Sequence, residues 1–138
     1  MRGAVAGVAL LLSLAACGGP TESAPAGLAI PPDSAGPDVV LRAYLKAVRA
    51  GDCATARQFV NVATFRTGTG EICGALHLQA YRPSGQPLTP NPNEILFGMT
   101  LTSDGSSDGS IPAGDFLWTY DLVRQPSGAW RIVGAGQG

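Results

Sequence analysis

Hydrophobic residues change their spacing twice along this chain, and the changes mark out its parts. Ala4 to Ala16 is one apolar stretch, broken only by Gly7 and Ser13 and preceded by Met1 and Arg2. After a long stretch without periodic apolar positions, Leu41, Tyr44, Leu45 and Val48 recur at i, i+3, i+4 and i+7, the spacing of one helix face. Asp38 stands where a helix cap is expected and Gly51 where a helix stops, so a helix is predicted over 38–50. Asp52 offers a second cap, and Cys53, Ala56, Phe59 and Val60 make a shorter amphipathic segment behind it. Residues 64–75 are ambiguous, with a short third helix expected near Glu71 to Ala75.

From residue 76 the spacing becomes two, the period of strands. Leu76, Leu78 and Ala80 alternate with His77, Gln79 and Tyr81 up to a turn at Arg82-Pro83-Ser84-Gly85, and a proline-rich loop through Pro87, Pro90 and Pro92 follows. Ile95, Phe97, Met99 and Leu101 alternate most cleanly, closed by turn residues from Asp104 to Gly109. Phe116, Trp118, Tyr120 and Leu122 form the third strand, Gln125-Pro126-Ser127-Gly128 a hairpin loop, and Trp130 to Val133 the fourth. The expected fold class is α+β: N-terminal helices packed on a curved antiparallel sheet of about four strands.

The first apolar stretch is about 13 residues, short of the roughly 18 to 20 a membrane-spanning helix needs, and it reads as a secretory signal. Leu14-Ala15-Ala16-Cys17-Gly18-Gly19 resembles the lipobox of bacterial lipoproteins, in which the cysteine thiol receives a diacylglyceryl group and becomes the new N-terminus. The expected organisation is therefore a lipoprotein signal peptide over 1–16, lipidated Cys17 and a Gly/Pro/Ala/Ser tether over 17–36, and a folded domain over 37–138. Two or three acyl chains on one residue hold a protein to a bilayer where one chain would not. The expected location is the outer face of the cytoplasmic membrane.

Nine Lys and Arg against ten Asp and Glu give a net charge of −1, and loss of Arg2 with the leader makes it −2. Nothing in that balance attracts nucleic acid. The eight arginines against one lysine suggest a GC-rich coding sequence, as in actinobacteria. Assigning Cys17 to lipid leaves Cys53 and Cys73, which an oxidising compartment would pair across about 20 residues. With one histidine, His77, and no CxxC, no metal site and no cofactor are expected.

VVLRAYLKAVRAGDCATARQFV, the strands after it and the terminal LVRQPSGAWRIVGAG are similar to the cone-shaped fold of the nuclear transport factor 2 superfamily, which includes ketosteroid isomerase. The resemblance implies a cavity lined by Tyr44, Phe97, Trp118, Tyr120 and Trp130. Tyr44 and Asp52 repeat the spacing of the isomerases' oxyanion tyrosine and the Gly-Asp turn, but an ungapped count puts the general base at Thr67, which has no carboxylate. His77 is expected on a solvent-facing strand position, although a dyad with Asp52, Asp115 or Asp121 is conceivable. Asp104-Gly-Ser-Ser-Asp108-Gly has a calcium-loop flavour but lacks the later acidic ligands, so a hairpin turn is expected. Arg42, Lys46 and Arg49 read as a solvated helix face.

The resulting expectation is an anchored envelope lipoprotein with no catalytic residues, whose domain binds a small apolar ligand or an envelope protein. A small isomerase-like or hydrolase-like enzyme and a purely structural accessory domain are the alternatives.

Overall fold

The computed structural model describes residues 28–65 and 71–137. Helix α1 runs Pro37–Arg49 and α2 Cys53–Ala56, followed by a 3-10 turn, Arg57–Phe59. Five strands follow: β1 Leu76–Pro83, β2 Leu88–Asn91, β3 Glu94–Ser106, β4 Gly114–Arg124 and β5 Trp130–Gly136. All pairings are antiparallel, in the order β1-β3-β4-β5, with β2 also on β3. This is the expected α+β arrangement, with one strand more than the alternation revealed.

Helix α1 starts one residue earlier than its pattern suggests. Gly36 is the N-cap, with no side-chain bond, and Pro37 occupies the first turn, where a missing N–H costs nothing. Asp38 therefore does not cap; it lies within the first turn and pairs with Arg42 one turn on. Gly51 ends the helix as expected, at φ 71°, a conformation that side chains with a Cβ disfavour. Asp52 caps α2 by accepting the Thr55 amide at 3.0 Å. One face of α1 (Val40, Leu41, Tyr44, Leu45, Ala47, Val48) is buried against Leu78, Met99, Leu101, Tyr120, Leu122 and Ile132 of the sheet. Arg42, Lys46 and Arg49 are exposed, as a solvated face requires.

The proline-rich stretch is an interrupted strand rather than a loop. β1 and β2 run in the same sense along one edge of β3, β1 on Met99–Ser106 and β2 on Glu94–Leu96, separated by a break from Ser84 to Pro87. At that edge Pro90 forfeits no ladder bond on its outer side. Gly98 faces the break, and a Cβ there would lie 2.7 Å from the Ser84 hydroxyl. The expected alternation of β1 fails in its second half for a related reason. The register slips on both sides of Leu78, so Ala80 turns outward and Tyr81 packs against the core.

Residues 71–75, the expected third helix, form a single turn instead. Ala75 and Leu76 donate to the Ile72 carbonyl, and Gly74 then takes φ 82°, which ends any helical continuation. This strap crosses one end of the sheet and is bound to α2 through the Cys53–Cys73 disulfide. Part of the expected tether also belongs to the folded body. Leu28 and Ala35 pack against the core, and Asp33 pairs with Arg131 of β5 at 3.3 Å. None of the helices among the described residues is long and apolar enough to cross a membrane.

Candidate functional site

Two aromatic residues from opposite layers meet at the centre of the domain. Tyr44 comes from the apolar face of α1 and Tyr120 from the inward positions of β4, and both are fully buried. Their rings make an edge contact, centroids 5.7 Å apart at 67°. Between this pair and solvent lies the strap. Tyr44 donates its hydroxyl to Glu71 Oε1 at 3.1 Å, and the Cys73 amide donates to the same oxygen at 2.8 Å. Burial, with the neighbouring Tyr120 and Glu71 adding to it, pushes the Tyr44 phenol far above its ordinary range, which favours the neutral, donating hydroxyl. Burial does the same to Tyr120, with a smaller push from Glu71. The Tyr120 hydroxyl has no hydrogen-bond partner among the described residues.

Outside this cluster a cleft of about 490 Å³ opens between the strap and the β3–β4 turn. Glu71, Ile72 and Ala75 of the strap line one side, and Ser106, Ser107, Asp108, Ser110 and Ile111 of the turn line another. Trp118 of β4 and Gln137 complete it. Trp118 is 7% exposed, packs edge-on to Phe116 at 5.8 Å, and its indole N–H has no acceptor among the described residues. Asp108 holds the turn together by accepting from Ser106 Oγ at 2.6 Å, the Ser110 amide at 3.0 Å and Ser110 Oγ at 2.7 Å. Those bonds stabilise its charged form and hold its pKa at about 2.

Of the five residues expected to line one cavity, the structure places only Trp118 on this cleft. Tyr44 and Tyr120 are fully buried in the core and do not line it. Phe97 lines a separate apolar groove of about 140 Å³ with Asp38, Leu41, Arg42, Pro83 and Met99, near the start of α1. Trp130 is half-buried against the core at the far end of the β4–β5 hairpin, opposite Arg124. His77 is exposed; its Nδ1 lies 3.3 Å from Asp104 Oδ2, so its carboxylate neighbour is none of Asp52, Asp115 or Asp121. Asp115 instead binds Thr102 Oγ1 at 2.6 Å and Arg82 at 3.0 Å. Asp104 and Asp108 serve different partners within a turn, and no group of three metal-ligating side chains occurs among the described residues. Cys17 and Thr67 lie outside the described residues.

Glu71 is the residue that sequence reasoning passed over. It lies four places beyond the ungapped base position and two before Cys73, so allowing an insertion in the segment between the cysteines would have raised it as a candidate.

No protein-family model matches the chain, and no curated protein matches it. Solved structures do. A ketosteroid isomerase-like protein from Erwinia carotovora aligns with a TM-score of 0.53 at 12% identity, over 78% of this chain and 95% of that one. A nuclear transport factor 2-like protein from Cytophaga hutchinsonii aligns with a TM-score of 0.50 at 13% identity, over 72% and 93%. One from Rhodospirillum rubrum gives 0.50 at 17% identity, over 72% and 91%. The fold is the nuclear transport factor 2-like cone. At these identities the likeness is one of fold, and activity has to be argued from the cleft. In this cone the interior is occupied by Tyr44, Tyr120 and the residues around them, and the cleft described above lies between the strap and the β3–β4 turn.

Proposed function

We propose that this protein is a membrane-anchored envelope lipoprotein, held by acylated Cys17, whose cone domain binds a small molecule in the cleft beneath the strap. The observation that carries the binding reading is Trp118. Its indole N–H lacks an acceptor among the described residues while its side chain forms part of an open cleft. Nε1 itself has almost no accessible surface, so the indole stands in the wall of the cleft and reports on what enters it. The lining joins Ile72, Ala75, Ile111 and Trp118 to serines and two carboxylates, so the ligand is amphipathic rather than purely apolar. The anchor rests on the lipobox-like sequence around Cys17.

A proton-transfer enzyme is the second reading, favoured by the carboxylate of Glu71 at the mouth of the cleft. The Tyr44 bond argues against it. A hydroxyl that donates to Glu71 does not donate to a substrate carbonyl, so the cleft lacks an oxyanion donor from α1.

Membrane fractionation tests the anchor, and Trp118 tests the binding. Wild-type protein is expected to stay with membranes through a high-salt wash, and Cys17→Ser to leave them; a variant that stays overturns the anchor. In the Cys17→Ser protein, an organic extract of cell envelopes is expected to shift the Trp118 indole proton resonance and leave that of Trp130 unchanged. An unmoved Trp118 resonance removes the support for binding.

A further inference from the structure

The disulfide that ties the strap to α2 stands beside open space. A second cleft, of about 570 Å³, meets the first at Ala75, Ser106 and Ser107 and is lined by Cys53 but not by Cys73. Two exposed glycines, Gly51 and Gly74, also line it. A Cβ at Gly74 would lie 3.8 Å from Cys53 Sγ and within 4 Å of nothing else beyond residues 73–75. A Cβ at Gly51 would meet nothing within 4 Å beyond residues 50–52. Both glycines have positive φ, 71° and 82°, so the turns that end α1 and the strap also keep side chains away from the sulfur. The charges of this cleft do not repel a thiolate strongly. Asp104, the one carboxylate lining it, faces His77 Nδ1 at 3.3 Å and accepts from Gln79. What the bond holds is local: residues 71–75 keep few other links, whereas α1 and the sheet share a continuous buried core.

We infer that Cys53 Sγ is a thiol–disulfide exchange site for a small dithiol, and that the exchange releases the strap while the core of α1 and the sheet stays folded. A thiolate of the dithiol attacks Cys53 Sγ, the Cys53–Cys73 bond breaks, and Cys73 leaves as a thiolate. The second thiol of the dithiol then attacks its own sulfur in the mixed disulfide, which closes the reductant's disulfide and expels Cys53 as a thiolate. The dithiol is oxidised by two electrons and the protein disulfide reduced by two, and the two protons that the dithiol gives up end on Cys53 and Cys73. A disulfide of the same class runs the steps backward and restores the strap. Glu71, Ile72 and Ala75 also line the first cleft, so the exchange loosens one of its walls. The site depends neither on a ligand in that cleft nor on the anchor.

The full chain carrying Cys17→Ser has Cys53 and Cys73 as its only cysteines and serves for the test. Without urea, dithiothreitol is expected to reduce it within about a hundredfold of the rate in the urea-unfolded chain. A bond that opens only with global unfolding would be slower by about 10³ to 10⁶. After reduction, amide hydrogen exchange is expected to rise in residues 71–75 while β3 and β4 stay protected. Glutathione, a monothiol, followed by an early acid quench and peptide mapping, is expected to leave its first adduct on Cys53. Gly74→Asn keeps a residue that tolerates positive φ but sets a side chain beside the sulfur. It is expected to slow native reduction about tenfold and to leave the rate in urea unchanged. The inference is overturned by a native rate in the unfolding-limited range, by a first adduct on Cys73, or by loss of β3 and β4 protection on reduction. A Gly74→Asn chain reduced as fast as its parent overturns the assigned approach to Cys53 Sγ.

Discussion

The sheet wall and the strap that crosses its rim are held by different means. β3 and β4 pair without interruption from Glu94–Val123 to Ser103–Gly114, and Tyr120, Leu122 and Leu101 are fully buried along them. Cohesion there is spread over many bonds and a continuous apolar face. The strap has one buried anchor, Ile72, one disulfide, one bridge from Cys73 to Leu76, one backbone bond in which the Ser107 amide donates to the Ala75 carbonyl at 3.4 Å, and the bonds on Glu71. A distributed wall tolerates the loss of any one polar contact, whereas a strap on a few discrete links depends on each of them. The cleft lies between the two, so its floor is rigid and its acidic side is set by a handful of groups.

The wall is where the largest effect is expected. Leu122→Ala removes a fully buried side chain that opposes Ile95 on β3 and Ile132 on β5, and large-to-small changes at such sites cost about 2–5 kcal/mol. Urea denaturation followed by tryptophan fluorescence is expected to show a destabilisation of about 4 kcal/mol with a single transition. A cost below about 1 kcal/mol would mean that the wall is not the cohesive unit described here.

The disulfide comes next. Cys53→Ala with Cys73→Ala opens a link across a sequence separation of 20 residues, worth about 3 kcal/mol in the chain-entropy model. The contrast sharpens if the loss is local. Amide hydrogen exchange is expected to rise in residues 71–75 while β3 and β4 keep their order of protection. Uniform loss of protection across strap and wall would erase the distinction.

The same division decides what could be read from the sequence. In β3, β4 and β5 each inward residue has an inward neighbour two places on, so alternation alone places Met99, Leu101, Trp118, Tyr120 and Leu122 inside. α1 and the Asp52 cap were legible for the same local reason. The failures are tertiary. Tyr81 turns inward because a slip against β3 inverts its phase, and β2 exists because an edge position tolerates Pro90. Glu71 meets Tyr44 across 27 residues, a contact that no periodicity encodes. The five aromatics expected in one cavity share the inward direction but not the same space: two fill the core, one lines the cleft, and two lie elsewhere.

The smallest effect is the most discriminating, because it uses the same deletion on both sides of the comparison. Tyr44→Phe and Tyr120→Phe each remove one oxygen from a fully buried ring in edge contact with the other. In Tyr44 that oxygen donates to the strap's carboxylate, and a hydrogen bond to a charged group contributes about 1.5–3 kcal/mol, less here because Glu71 is only half-buried. In Tyr120 it has no partner among the described residues, so its removal relieves an unpaired buried hydroxyl. Tyr44→Phe is expected to cost about 1 kcal/mol and to raise hydrogen exchange in the strap, and Tyr120→Phe to be neutral or slightly stabilising. Equal costs for the two would show that the hydroxyl bond to Glu71 does not hold the strap, leaving the disulfide and Ile72 to position it. If Tyr120→Phe is instead the costlier change, its hydroxyl has a partner in the folded protein, and the division between a self-sufficient wall and a tethered strap would have to be redrawn around that partner.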